Sequence, residues 1–188
     1  MGRPRSDTTP LQREWAAAEP EVELRFVRWN SPTAGLAEGR CDVAVVRRPL
    51  DDDRFRSVVV GLERRVVAFA ADDPQWRTRR SLRMAEVSTR PVLVDPIAGT
   101  TVPELWPENS RPARTVETGD AEEWLDTIAV GSAVGTSSEA TAVHNPRPDV
   151  LYRPLADGPP ITVRLVWWRD DPPPMLARLV ERVADRYR

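Results

Sequence analysis

The sequence predicts an α/β fold, with helices alternating with the strands of a parallel sheet. Three observations predict it. Between residues 10 and 46 the order reads helix, strand, helix, strand, a rhythm that calls for crossover connections. Apolar runs at 43–46 and 91–95 are too short for helices and suit buried strands. The chain closes on its best strand, Ile161 to Trp168, followed by a helix with one apolar stripe.

Residues 1–9 have no periodicity and are expected to be loose. Thr8 or Thr9 caps a helix from Pro10 to about Glu19, with Leu11, Trp15 and Ala18 on one face, and Pro20 stops it. Val22, Leu24 and Phe26 alternate with Glu23 and Arg25, the pattern of a strand. Ser31-Pro32 opens a short helix. The serine hydroxyl accepts from exposed amides, and proline suits the first helical position because its missing N–H has no partner there. Gly39 supplies the left-handed exit. Val43 to Val46 does not alternate, as in a strand buried on both faces.

Asp51–Asp53 reads as a solvated loop, 58–60 as a short strand and 62–71, L-E-R-R-V-V-A-F-A-A, as a longer one closed by D-D-P. Ser81–Val87 suits a helical turn or two, and 91–95 a brief buried strand. Thr101 and Glu104 stand at capping-box spacing in T-V-P-E-L-W, with Pro103 early in that helix. Residues 115–117 are expected to be extended. Asp120 with Glu123 marks a helix running to about Val130 that buries Trp124, Leu125 and Ile128. The bend at 131–136 leads into a strand or tight loop at 134–138. N-P-R-P-D at 145–149 is a turn, which puts His144 in loop chemistry. A short strand at 150–155 precedes the strand at 161–168. Pro172–Pro174 opens a final helix whose stripe is Leu176, Leu179, Val180, Val183 and Tyr187.

Composition excludes more chemistry than it suggests. The chain has 188 residues, 40% apolar and 30% charged, enough for one ordinary domain or two small lobes. A net charge of −2 offers no basic footprint for nucleic acid. No apolar run reaches membrane-spanning length and no secretory signal is visible, so a cytoplasmic setting is expected. All 27 basic residues are Arg, which removes the P-loop lysine, Schiff-base chemistry and a lysine base. His144 is the single histidine, which excludes His-rich metal sites. Cys41, also single, reads as a small core residue at the start of a strand rather than half of a Cys–His dyad. No cofactor and no metal are implied.

The segment S-P-T-A-G-L-A-E-G-R-C-D-V-A-V-V-R-R-P at 31–49 resembles the effector-binding domain of LysR-type transcriptional regulators, where a helix ending in "l..G..D.ai" sits at this place. Further segments extend the resemblance over about residues 10 to 185. They are V-V-A-F-A-A-D-D-P-Q-W, S-L-R-M-A-E-V, I-A-V-G-S-A-V-G-T-S-S-E and L-V-W-W-R-D-D-P-P-P-M-L-A-R-L-V. The resemblance implies a two-lobed fold of periplasmic-binding-protein type 2, with two crossover strands and an inter-lobe cleft for an inducer. On that analogy the chain is one effector-binding module. Lobe I is 1–67 plus 164–188, lobe II is 68–163, and the crossings fall near Val66–Ala71 and Ile161–Trp168. The family's winged helix-turn-helix and linker helix have no counterpart here, and its first strand is missing, since G-R-P-R-S-D-T-T-P cannot serve. The gap would leave a raw sheet edge and lower stability than in a version extended upstream.

Ligands of open α/β sheets bind beyond strand carboxyl ends, near helix N-termini. Four such places carry hydroxyls: Thr8-Thr9, Asn30-Ser31, Thr100-Thr101 and Thr136-Ser137. The candidate ligand-binding residues are therefore Thr8, Thr9, Ser31, Thr100, Thr101, Thr136 and Ser137; capping alone explains each residue type taken singly, and it is their agreement with the resemblance that raises the set. Arg47 and Arg48 are a solvated rim pair or charge for the cleft. Of the seven tryptophans, Trp167 and Trp168 must face opposite sides of their strand.

The resemblance implies inducer sensing without catalysis, for a small-molecule effector such as a carboxylate. It also implies a homodimer using Leu11, Trp15 and the 120–130 helix, no membrane, and DNA contact only through another domain. The alternative is a free-standing small-molecule-binding protein of the same fold with no role on DNA. An in-frame upstream helix-turn-helix separates the two. An enzyme is the third reading. Asp42, Asp51–Asp53, Asp72–Asp73 and Asp170–Asp171 supply carboxylates, but at strand and turn ends where Asp is routine.

Overall fold

The structure is a computed structural model describing residues 8–97 and 99–188; the expectations for residues 1–7 lie outside it. In chain order the elements are α1 (Thr8–Ala18), β1 (Ala44–Val46), β2 (Phe55–Glu63), β3 (Arg65–Ala70), α2 (Met84–Val87), β4 (Val92–Val94), β5 (Thr115–Glu117), α3 (Ala121–Ala129), β6 (Val134–Ser138), α4 (Glu139–His144), β7 (Val150–Pro154), β8 (Ile161–Trp168) and α5 (Leu176–Asp185). They fall into two compact units. The first holds the residues up to Leu62 with Thr162–Arg188, and the second Glu63–Ile161. All of β3 therefore lies in the second unit.

In the first unit a three-stranded sheet runs β1-β8-β2. The strand β8 is central and apolar on both sides. Val163 and Leu165 pack with Val60 against Leu179, Val180, Val183 and Tyr187 of the α5 region, whereas Val166 joins Leu36, Ala44, Val46 and Phe55. Trp168 lies 4.7 Å from the Phe55 ring. A purely parallel sheet is not what forms: β1 pairs antiparallel with β8, Val45 opposite Leu165. β1 is also at the sheet's edge, so Val45 stays 37% exposed and the run is buried on one face only.

α1 buries Pro10, Leu11 and Trp15 and leaves Ala18 exposed. It is tied to α5 by the ion pairs Glu19–Arg178 and Glu14–Arg186. Thr8 and Thr9 are its first residues rather than caps ahead of it. Two further expectations are corrected. Residues 22–26 join no ladder, because alternation makes a strand only where a neighbouring strand supplies partners. Residues 31–38 are a chain of turns, not a helix: Ala34 (φ 49°) and Gly35 (φ 95°) are left-handed, which breaks the α-helical path after one turn. Gly39 is indeed left-handed, at φ 65°.

The second unit is a mixed five-stranded sheet, β5-β4-β6-β3-β7, parallel at β4·β5 and β4·β6 and antiparallel where β3 meets β6 and β7. Every residue of β3 is buried. Val67 and Phe69 face one cluster with Trp76, Leu82, Val87, Val92 and Trp106, and Ala68 faces the other with Leu93, Trp124, Leu125 and Ile128. Asp120 caps α3 as its sequence implies, accepting from the Glu122 and Glu123 amides at 2.9 Å, while Glu123 accepts from the Gly119 amide at 2.7 Å. His144 ends α4 rather than sitting in a loop. That helix had a legible start, Ser138 ahead of Glu139.

Candidate functional site

The second unit gathers Thr100, Thr101, Thr136 and Ser137, and the first holds Thr8, Thr9 and Ser31. β6 carries Thr136 and Ser137 opposite Val67 and Val66 of β3. Thr101 does not cap a helix. Its side chain is buried and donates to the Thr136 carbonyl at 2.8 Å, and the two hydroxyl oxygens are also 2.8 Å apart. One hydroxyl carries one proton, so Thr136 must donate back to Thr101, and both protons are consumed internally. The short 3₁₀ turn Pro103–Leu105 begins after Val102 without a side-chain cap. Ser137 is bonded to Thr141 at 2.6 Å.

Thr100 differs. Its carbonyl and its hydroxyl oxygen both accept from the Arg65 guanidinium, at 3.1 and 3.4 Å, so the hydroxyl proton remains free to donate. Arg65 also donates to the Pro159 carbonyl at 3.1 Å. Its residue is 5% exposed, and among the described residues it makes no ion pair. Burial pushes its pKa down to about 10. An arginine held by carbonyls and a hydroxyl, with no anion, keeps an uncompensated charge that a ligand carboxylate would neutralise. It lines a depression of about 330 Å³ with Arg64, Leu155, Ala156, Gly158 and Pro160. Sequence reasoning passed over Arg65. Its signal was an arginine opening an otherwise apolar strand, R-V-V-A-F-A.

In the first unit Ser31 is buried and accepts from the Gly35 amide at 3.1 Å, holding the turn that replaces the expected helix. Thr8 is half-buried and Thr9 exposed. Leu11 and Trp15, expected in a dimer contact, are 4% and 3% exposed and already spent on the unit's own packing. Cys41 donates to the Ala34 carbonyl, and burial, then the charges of Asp42 and Glu38, push its thiol pKa up. Among the described residues no group of acidic, His or Cys side chains could hold a metal ion. None of the described helices is long and apolar enough to cross a membrane.

A family model described as the LysR substrate binding domain matches residues 6–188. Solved structures share the fold. CbnR, a LysR family transcriptional regulator, superposes with a TM-score of 0.74 at 18% identity, over 100% of this chain and 68% of its own. The BenM effector binding domain with its effector benzoate gives 0.73 at 19%, covering 97% of this chain and 86% of that one. The oxidized form of OxyR gives 0.74 at 19%, over 96% and 89%. The fold is thus the periplasmic-binding-protein-like α/β type of these neighbours. No curated protein matches by sequence.

Proposed function

The chain belongs to the LysR substrate-binding domain family, and on that premise we propose that it senses a small anionic effector for a LysR-type transcriptional regulator. It does so without catalysis, and DNA is contacted by a different domain. The net charge of −2 agrees with that division of labour. Carboxylate is the ligand chemistry favoured by Arg65, a buried cation with no counter-charge among the described residues, whose guanidinium sits on Thr100. In this reading the Thr100 hydroxyl donates to one carboxylate oxygen and Arg65 compensates the charge. Thr101 and Thr136 shape the seat through their mutual bonds, and Ser137 through its bond to Thr141.

Thermal shift and calorimetry with benzoate, small aliphatic carboxylates and the matching neutral amides test this. The acids are expected to bind and the amides not. Thr100→Val, which keeps the size of the side chain, is expected to weaken the acid at least about tenfold through a lost charge-assisted bond. Arg65→Met should weaken it further. Acid and amide binding alike, or binding that ignores both substitutions, refutes the reading.

A further inference from the structure

We propose that residues 77–83 of the second unit, R-T-R-R-S-L-R, form a docking platform for an acidic stretch of a partner protein. Four of the seven are arginine and none is acidic, the densest run of positive charge in a chain of net charge −2. Arg77, Arg79, Arg80 and Arg83 are all exposed. Among the described residues only Arg79 of the four has an ion-pair partner, Glu86 at 2.9 Å. The carboxylates bonded to this stretch are already engaged. Asp73 pairs with Arg90, Glu86 also accepts from the Arg83 amide at 2.9 Å, and Asp157 accepts from the Met84 amide at 2.8 Å. The charges of Arg77, Arg80 and Arg83 therefore face outward unmatched.

The backbone of the run is held in place. Trp76 just before it and Leu82 within it are buried. The Leu82 amide donates to the Pro154 carbonyl at 3.1 Å, and the Leu82 carbonyl accepts from the Ala156 amide at 2.8 Å, which fastens the run to the end of β7. Arg153 of β7 donates to the Arg79 and Arg77 carbonyls at 2.7 and 3.4 Å. Among the described residues it makes no ion pair, so a fifth positive charge lies against the run. A partner meets arginines on a fixed backbone, and little ordering of that backbone opposes binding.

The surroundings favour protein carboxylates over a nucleic acid. The aromatic side chain of this stretch, Trp76, is buried, and the Arg90 guanidinium lies 4.0 Å over its ring, so no face is offered to a base. The helix that follows, α2, has four residues and is too short to fill a groove. A duplex is also negative along its whole length, and past the run it meets a chain with more acids than bases. A short acidic segment meets the run alone, where each guanidinium fork matches a carboxylate.

Fluorescence anisotropy of the whole chain with a labelled peptide of alternating glutamate and serine tests the platform. The matching glutamine–serine peptide and a short mixed-sequence DNA duplex are the comparisons. The acidic peptide is expected to bind, more weakly as salt rises, and the other two to bind far less. Arg77→Glu with Arg80→Glu turns two attractions into repulsions and should raise the peptide dissociation constant at least about tenfold. Arg77→Gln with Arg80→Gln, which only removes charge, should cost less and decides the matter if the first variant fails to fold. Arg111→Glu with Arg114→Glu makes the same charge change at two exposed arginines outside the run and should cost much less. No binding of the acidic peptide, or equal losses at the two pairs of arginines, overturns the platform. A duplex that binds as tightly as the peptide overturns the choice of a protein partner.

Discussion

Replacing the buried Asp73 should be a strongly damaging single change in the second unit. Its carboxylate accepts from the Gln75 and Trp76 amides at 2.9 and 2.8 Å and pairs with Arg90. Arg90 in turn lies 4.0 Å over the Trp76 ring and donates to the Gln75 side chain at 2.9 Å. One carboxylate thus joins the exit of β3 to the segment after α2. Asp73→Ala removes a turn cap worth about 1 kcal/mol. It also leaves Arg90, 24% exposed, without its anion. Stranding a fully buried partner costs about 3–5 kcal/mol, and roughly half of that applies to a group with access to water. The sum is about 3 kcal/mol, which for a unit of this size lowers Tm by roughly 12–24 °C. Asp73→Asn keeps an acceptor for the amides and loses only the charge, so it should cost about half as much. Burial pushes the Asp73 pKa up, but the Arg90 guanidinium and the Trp76 and Gln75 amides outweigh it and hold the carboxyl below its ordinary value. A depressed folded pKa means the stabilisation is complete above the unfolded-state value, about 3.9, and disappears as pH falls through the folded one. The assay is thermal melting followed by tryptophan fluorescence from pH 7 down to pH 3. The reasoning fails if Asp73→Ala melts within about 1 °C of the parent, or if Asp73→Asn leaves the acid limb unchanged.

Three other outcomes are expected. A methyl group at Gly135 would sit 2.3 Å from the Trp124 ring, so Gly135→Ala should destabilise the second unit by about 1–3 kcal/mol in urea melts. Thr101→Val leaves the buried Thr136 hydroxyl without its acceptor and should cost about 1–3 kcal/mol by the same measurement; an unchanged midpoint would contradict the hydroxyl pair. Because burial and then Asp42 and Glu38 raise the Cys41 pKa, the thiol should stay protonated at pH 7.5 and react with iodoacetamide more slowly than glutathione does. A faster rate would mean that a thiolate forms there.

The site was legible in residue type more than in geometry. The hydroxyls of Thr100, Thr101, Thr136 and Ser137 stood out in the sequence, and they do share one unit. Their bonding did not, because Thr101 and Glu104 have capping-box spacing while the Thr101 side chain turns to Thr136, 35 residues away. Arg65 carried no motif at all. Its bonds to the Thr100 and Pro159 carbonyls form only in the folded unit.

What the sequence determined by itself is whatever a few neighbouring residues can decide. Asp120 starts α3 because its side chain reaches amides two and three residues ahead, and the stripe from Leu176 to Tyr187 needs only the helical period. The brief apolar run at 91–95 announced a buried strand, and β4 buries Val92 and Leu93. Tertiary structure decided the rest. Val22 to Phe26 has the alternation of a strand and, among the described residues, lacks the neighbour that would make it one, and the unalternating run of β1 predicts burial on both faces whereas Val45, on an edge strand, is exposed. Backbone hydrogen bonds in a sheet join residues far apart in the chain, so local pattern sets which faces are apolar but not which edges are filled.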